Sequence, residues 1–338
     1  MELIVEKQMT DHEVSKLKGT WIDESFMKYP VIDKDTDVYY MSPMKGGGYV
    51  KKLLLKFRRN VISKDLIQVG WNSYKDLAKA SRGRGASAGP IDMEGVYWSK
   101  RNLIDTNKWS TGYILENGSK SKMKVNNQVA SNPIGYYEES KNFAKLPCRL
   151  THFTRTHYDQ YIEGLPFIQE INGLFKKLMP NSYKKQLNRA NQKLDFKIKD
   201  TCFSTITINR NFRTALHADA GDFREGFGNL TVIERGKYQG GYTILPQFGI
   251  AVDVRTRDFL GMDVHQFHSN TPIYETEEDK KFNDKLPKVF KDNPKVGTVG
   301  IYENYTRLTF VCYLRENIIN CDKIDPRFLT KSDGNKIK

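Results

Sequence analysis

From Thr201 onward the chain reads as one short strand after another, and this series constrains the fold more than any other feature of the sequence. CFSTITI, LTVIE, GYTIL, IAVDV, DFLGMDV and RLTFVCYL are rich in β-branched and aromatic residues, and Gly, Pro or Asn breaks fall between most of them. Such a succession closes into a sandwich, barrel or jelly roll. A charged, Pro-containing insertion (ETEEDKKFNDKLPKVFKDNPKVG) interrupts it across residues 274–305 and is expected as a surface excursion. Upstream, Phe167, Ile168, Ile171, Leu174, Phe175 and Leu178 recur at i, i+3, i+4 spacing, which predicts helix between about 154 and 190 with Met179-Pro180 closing the segment.

The first 150 residues mix short apolar stretches with Gly, Ser and Asn. Asp37–Tyr40, Met44–Tyr49 and Val50–Phe57 predict two strands around a Gly46-Gly47-Gly48 turn. SRGRGASAGP, residues 81–90, is too rich in Gly and small residues for a helix interior and is expected as a loop displaying Arg82 and Arg84. A second polar loop, NGSKSKMKVNN, carries Lys120, Lys122 and Lys124 at alternating positions.

The formal charge of +14 sits mostly in this part of the chain: residues 201–338 hold 20 Lys/Arg against 18 Asp/Glu, leaving 34 against 22 for residues 1–200. A basic half beside a near-neutral one suggests a polyanion footprint, nucleic acid being the commonest. No apolar run approaches the roughly 18 residues of a membrane span, so no membrane partner is expected. The start, MELIVEKQMT, lacks an apolar h-region, and no secretory signal is expected there. Cys148, Cys202, Cys312 and Cys321 are scattered without a CxxC pair, which predicts reduced thiols in an intracellular protein, cytoplasmic or nuclear, a virus- or phage-encoded origin included.

The chain has six histidines. His217, in TALHADAGD, forms a His-x-Asp pair with Asp219, and residues i and i+2 of a strand point to the same face. Both can therefore bind one cation inside a barrel. A third ligand must come from a distant strand, where His268 stands in HQFHSNTPI, three residues after His265. Two histidines and one carboxylate occupy one face of an octahedral ion and leave the other open, which suits Fe(II) oxygen chemistry with a bidentate oxo acid and dioxygen as co-substrates. Arg307, opening the last strand, offers a permanently charged planar fork that matches a carboxylate, and Thr309 faces the same way two residues on.

The stretch TALHADAGD, GGYTILPQFGIAVDVRTRDFLGMDVHQFHSNTPI and RLTFVCYL resembles the TET/JBP family, oxygenases of methylated pyrimidines in DNA, over about residues 145–316. The resemblance implies a mainly β fold with flanking α-helices, built on a double-stranded β-helix (jelly-roll, cupin-like) core. It implies a dioxygenase domain over 145–338, preceded by a basic region, 1–144, packed on it. It makes His217, Asp219 and His268 the Fe(II) ligands, His268 being preferred to His265 because the family's ligand directly precedes a small-Thr-Pro segment. Arg307 becomes the 2-oxoglutarate clamp.

Asp222 falls where family members set a short Asn or Asp side chain against the flipped base. Ionised, it would accept from cytosine N4 and so favour 5-methylcytosine over thymine. Arg213 is a candidate for the oxoglutarate or a phosphate, and Arg82, Arg84, Lys120, Lys122 and Lys124 for phosphate contacts to DNA or, alternatively, RNA. GGYTILP is also similar to prolyl hydroxylases, which leaves a peptide substrate as the rival reading, and a non-catalytic nucleic-acid-binding jelly roll as another. The cysteine-rich zinc elements of animal TET enzymes are absent, and the 274–305 insertion is long for the family.

Overall fold

Sequence alternation accounts for the main layer of this computed structural model, which describes residues 1–77, 79–81, 83–93, 101–140, 146–287 and 304–329. The main sheet is formed by β1 (Glu2–Val5), β2 (Thr36–Pro43), β3 (Tyr49–Arg58), β4 (Ala80–Ser81), β5 (Val129–Tyr137), β6 (Thr205–Arg210), β7 (Gly228–Arg235), β10 (Phe259–Met262) and β12 (Thr306–Tyr313). Its order is β1-β2-β3-β10-β7-β12-β6-β5-β4. Only β1–β2 is parallel among the pairs on this path. A second sheet sets β8 (Thr243–Leu245) between β9 (Ile250–Val252) and β11 (Ser269–Asn270). The two sheets form the expected double-stranded β-helix core.

The strand series and the hairpin around Gly46–Gly48 are borne out. The basic half, however, is hydrogen-bonded into the core rather than laid against it. β3 pairs with β10, and β5 pairs with β6, so residues from the first 140 extend the sheet on both sides.

Helices cover one face of the main sheet. α5 (Leu165–Leu178) buries Phe167, Ile168, Ile171, Leu174 and Phe175, as its 3.6-residue rhythm requires, against Ile206, Ile208, Leu308 and Phe310 of the sheet. Pro166 lies in its first turn, where a missing N–H costs nothing. The same logic corrects one expectation: Met179-Pro180 closes α5, but Pro180 opens α6 (Pro180–Ala190). α3 (His152–Thr156) and α4 (Tyr158–Glu163) precede α5, while α2 (Lys64–Tyr74) and the short α1 (Asp11–Lys16) were not apparent in the sequence. The insertion contributes α7 (Glu277–Asn283), started by a capping box from Thr276 and Asp279, and its residues 288–303 lie outside the described residues. None of the described helices is long and apolar enough to cross a membrane.

The expectation of four reduced thiols fails at one pair. Cys148 and Cys321, 173 residues apart in sequence, are joined by a disulfide within a small cluster that includes Phe196, Leu314 and Ile318. Cys202 and Cys312 are free and buried.

Candidate metal centre

His217 and His268 are placed opposite each other by the backbone before their side chains are considered. The His217 N–H donates to the His268 carbonyl (3.0 Å) and the His268 N–H returns the bond (2.8 Å). Asp219, on the same face two residues on, is anchored by its N–H to the Val264 carbonyl (2.9 Å). The ligand atoms of the three lie within 4.8 Å of one another. His217 Nε2 is 3.6 Å from one Asp219 carboxylate oxygen and His268 Nε2 is 3.8 Å from the other.

The chemistry of this donor set fits a divalent transition metal. His217 Nδ1 is 2.8 Å from the Ala215 carbonyl, and His268 Nδ1 is 2.9 Å from that of Gln266. Carbonyls only accept, so both Nδ1 atoms carry the proton and both Nε2 lone pairs face the shared point. Burial pushes the His217 imidazole down to about 4, with the facing His268 adding to the fall and Asp219 opposing it, so the ring is held neutral as a ligand must be. His265 is not part of the group: its Nε2 turns to the Phe223 carbonyl at 3.1 Å.

The triad opens into a cavity of about 410 Å³ whose floor is the inner face of β6 and β12, including Asn209, Thr309 and Tyr313. Arg307, two residues before Thr309 on β12, is not itself in the lining; it is only 2% exposed, with Nη2 donating to the Gly241 carbonyl at 3.1 Å. Its Nε has no partner, and neither do the buried hydroxyls of Thr243 and Ser269, both of which line the cavity. Buried donors without partners are costly, and a ligand carboxylate would satisfy them. Gly241, at φ +71°, is needed here, since a Cβ would sit 3.5 Å from Arg307 Nε and 3.3 Å from Ile273 in a conformation that L residues rarely adopt.

Asp222 reaches the same cavity. It is 8% exposed, bridged through its backbone to Arg315, and its Oδ2 has no hydrogen-bond partner. Burial raises this acid well above the usual carboxylate range, the Asp219 charge adds to the rise, and Arg315 opposes it. The expected preference for 5-methylcytosine assumed the ionised carboxylate, and these surroundings work against that form.

The other expected residues separate. Arg84 lines the cavity, its Nη1 3.4 Å from the Thr207 hydroxyl. Arg213 is turned to the Ile22 carbonyl (2.9 Å) and lies over the Trp21 ring, so it ties the N-terminal segment to the core and is not in the cavity lining. Lys120, Lys122 and Lys124 are exposed and also absent from the lining, and Arg82 lies outside the described residues. Sequence reasoning missed Asn209, Trp109, Tyr313 and Arg315 in the cavity wall. For the last two the signal was present, because counting by twos from Arg307 along RLTFVCYLR reaches both.

Comparison with known proteins agrees with this geometry. Residues 132–316 match the Tet_JBP family model, described as the oxygenase domain of the 2OGFeDO superfamily. The chain is 31% identical over 220 residues to the bifunctional helicase and thymine dioxygenase JBP2 of Trypanosoma cruzi, covering 63% of this chain and 18% of that protein. It is 33% identical over 173 residues to the thymine dioxygenase JBP1 of Trypanosoma brucei brucei, covering 51% and 20%. The chain thus spans about a fifth of the length of these curated relatives. Among solved structures, NgTET1 in complex with 5mC DNA aligns with a TM-score of 0.48 at 12% identity, covering 99% of this chain and 89% of that one. With more than half of its length inside the family's bounds, the chain belongs to the TET/JBP family, and its core is that family's oxygenase domain of the 2-oxoglutarate and iron dioxygenase superfamily.

Proposed function

We propose that the chain hydroxylates the 5-methyl group of a pyrimidine in DNA, with thymine as the preferred base. The observation that carries this reading is the triad opening onto a cavity lined by the unpartnered hydroxyls of Thr243 and Ser269, with the buried, unpartnered Nε of Arg307 two residues before the lining residue Thr309 on the same strand. His217, Asp219 and His268 would hold the iron, and Arg307 with Thr309 would take the distal carboxylate of 2-oxoglutarate. The metal, when bound with oxoglutarate, supplies activation of dioxygen for attack on an unactivated C–H bond.

The chain's own residues do the positioning. The Ala215 and Gln266 carbonyls fix the imidazole tautomers, and the Gly241 carbonyl fixes the Arg307 guanidinium that would hold the far end of the co-substrate. A pyrimidine must leave the base stack to reach a site this recessed. Asp222 then meets its edge; when protonated its carboxyl can donate to O4 of thymine, while its carbonyl oxygen can accept from N4 of cytosine, so this contact admits either pyrimidine. The choice of thymine is supported by the printed activity of the relatives, thymine dioxygenase. An intact triad backed by Arg307 speaks against a purely binding role, and the basic N-terminal half suits DNA better than a peptide.

The test is incubation with Fe(II), oxoglutarate and matched oligonucleotides carrying thymine or 5-methylcytosine, followed by mass spectrometry of the nucleosides. Hydroxymethyluracil should dominate. Oxidation of 5-methylcytosine alone would overturn the choice of base, and oxoglutarate turnover stimulated by peptides but not by DNA would overturn the substrate class.

A further inference from the structure

A second cavity, of about 680 Å³, shares a wall with the triad cavity at Gly83, Arg84, Tyr313 and Arg315. The iron and oxoglutarate roles make no use of it. It lies beside β5 and α3, and its charged lining is Lys79, Arg84 and Arg315 against one carboxylate, Asp76. Its aromatic lining is Tyr137, Phe153 and Tyr313. The Tyr137 ring has guanidiniums over it from Arg149 at 5.0 Å and Arg315 at 5.7 Å, and Arg315 is ion-paired to Glu138 at 2.7 Å. His157 stacks on Phe153 with centroids 4.9 Å apart.

Cations next to aromatic faces, in a chamber of small-molecule size, suit a ligand that is both anionic and flat. The chamber also adjoins the place where a flipped base would sit, and Arg84 stands in the wall between them. We infer that this chamber is a subsite for the nucleotide next to the target base on the same strand. The phosphodiester joining the two lies against Arg84, the neighbouring base meets the Tyr137 and Tyr313 side of the chamber, and the next phosphate faces Lys79. The inference rests on the proposed action on a DNA base and sharpens it: the substrate presents two adjacent unstacked nucleotides, one oxidised and one gripped.

The test measures binding in the absence of oxygen, so that it stays readable whether or not the base is hydroxylated. Affinities of the iron- and oxoglutarate-loaded chain are compared for thymidine monophosphate, d(pApT) and d(TpAp), each dinucleotide carrying a terminal phosphate on its adenosine. One flanking nucleotide, on one side only, should tighten binding about tenfold or more, as stacking of a base on an aromatic wall does. Tyr137→Ala and Lys79→Gln should each erase most of that gain, and Tyr137→Phe should keep it. A 4-thiothymidine placed on the same flank should cross-link to the peptides carrying Tyr137 or Tyr313. Equal affinity for all three ligands, an equal gain on both flanks, or adducts that map outside the chamber would overturn the subsite. Absence of hydroxylation with the flank effect intact would instead overturn only the proposed reaction.

Discussion

The two faces of β12 differ in what they need from their surroundings. Leu308, Phe310 and Cys312 face the helices and are fully buried among Phe167, Ile171 and Phe175. Arg307, Thr309 and Tyr313 alternate with them and face the interior of the β-helix, where Arg307 Nε and the nearby Thr243 and Ser269 hydroxyls find no partner. The helix-side face is satisfied by packing alone, at every moment. On the interior face Thr309 and Tyr313 are already hydrogen-bonded to Asn209 and Thr207, but Arg307 Nε is satisfied only when something else is bound. One strand thus separates stability from chemistry by the pleat alone, at a spacing of one residue.

Substitutions on each face should break different properties. His268→Ala removes a ligand from the interior, so turnover should fall to background and iron binding, followed by calorimetry, should be lost while the melting temperature changes little. Full activity in this variant together with inactivity of His265→Ala would transfer the ligand role to His265. Phe310→Ala empties a packed position on the other face and should cost about 3–5 kcal/mol in chemical denaturation. Below its lowered melting temperature it should still bind oxoglutarate normally, and a large loss of oxoglutarate affinity there would show that the faces are coupled.

Arg307→Lys keeps the charge but loses the fork, so the oxoglutarate KM should rise roughly 10- to 100-fold with iron affinity little changed. An unchanged KM would place the clamp elsewhere. The smallest effect is expected at Asp222→Asn, where the amide, like a neutral acid, both donates and accepts. Competition between thymine and 5-methylcytosine oligonucleotides should shift by less than about fivefold, and a larger shift towards thymine would show that the native side chain meets the base ionised.

Much of the core could be read from the residues, because strand alternation and the His-x-Asp spacing are local signals. The β6–β12 series, the hairpin and α5 all follow from periodicity within a dozen residues. What could not be read was long-range. Nothing in β3 or β5 announces that they pair with β10 and β6, since a strand's neighbour is decided by the whole topology. Arg84 looked like a displayed loop cation and instead walls the cavity, because residues 83–90 fold inward through Ala86, Ser87 and Ala88, all buried. The upward push on the Asp222 carboxyl escaped for the same reason: it comes from burial and from the nearby Asp219, which no spacing reveals.

The Cys148–Cys321 link closes most of the matched oxygenase segment into a covalent ring. A ring tolerates one break without coming apart. A protease that cuts once between these cysteines, for instance within the 274–305 insertion, would yield two polypeptides that still migrate as one species until a reductant is added. The same closure makes the segment a natural subject for circular permutation, with new termini opened in that insertion and the old ends held together by sulfur.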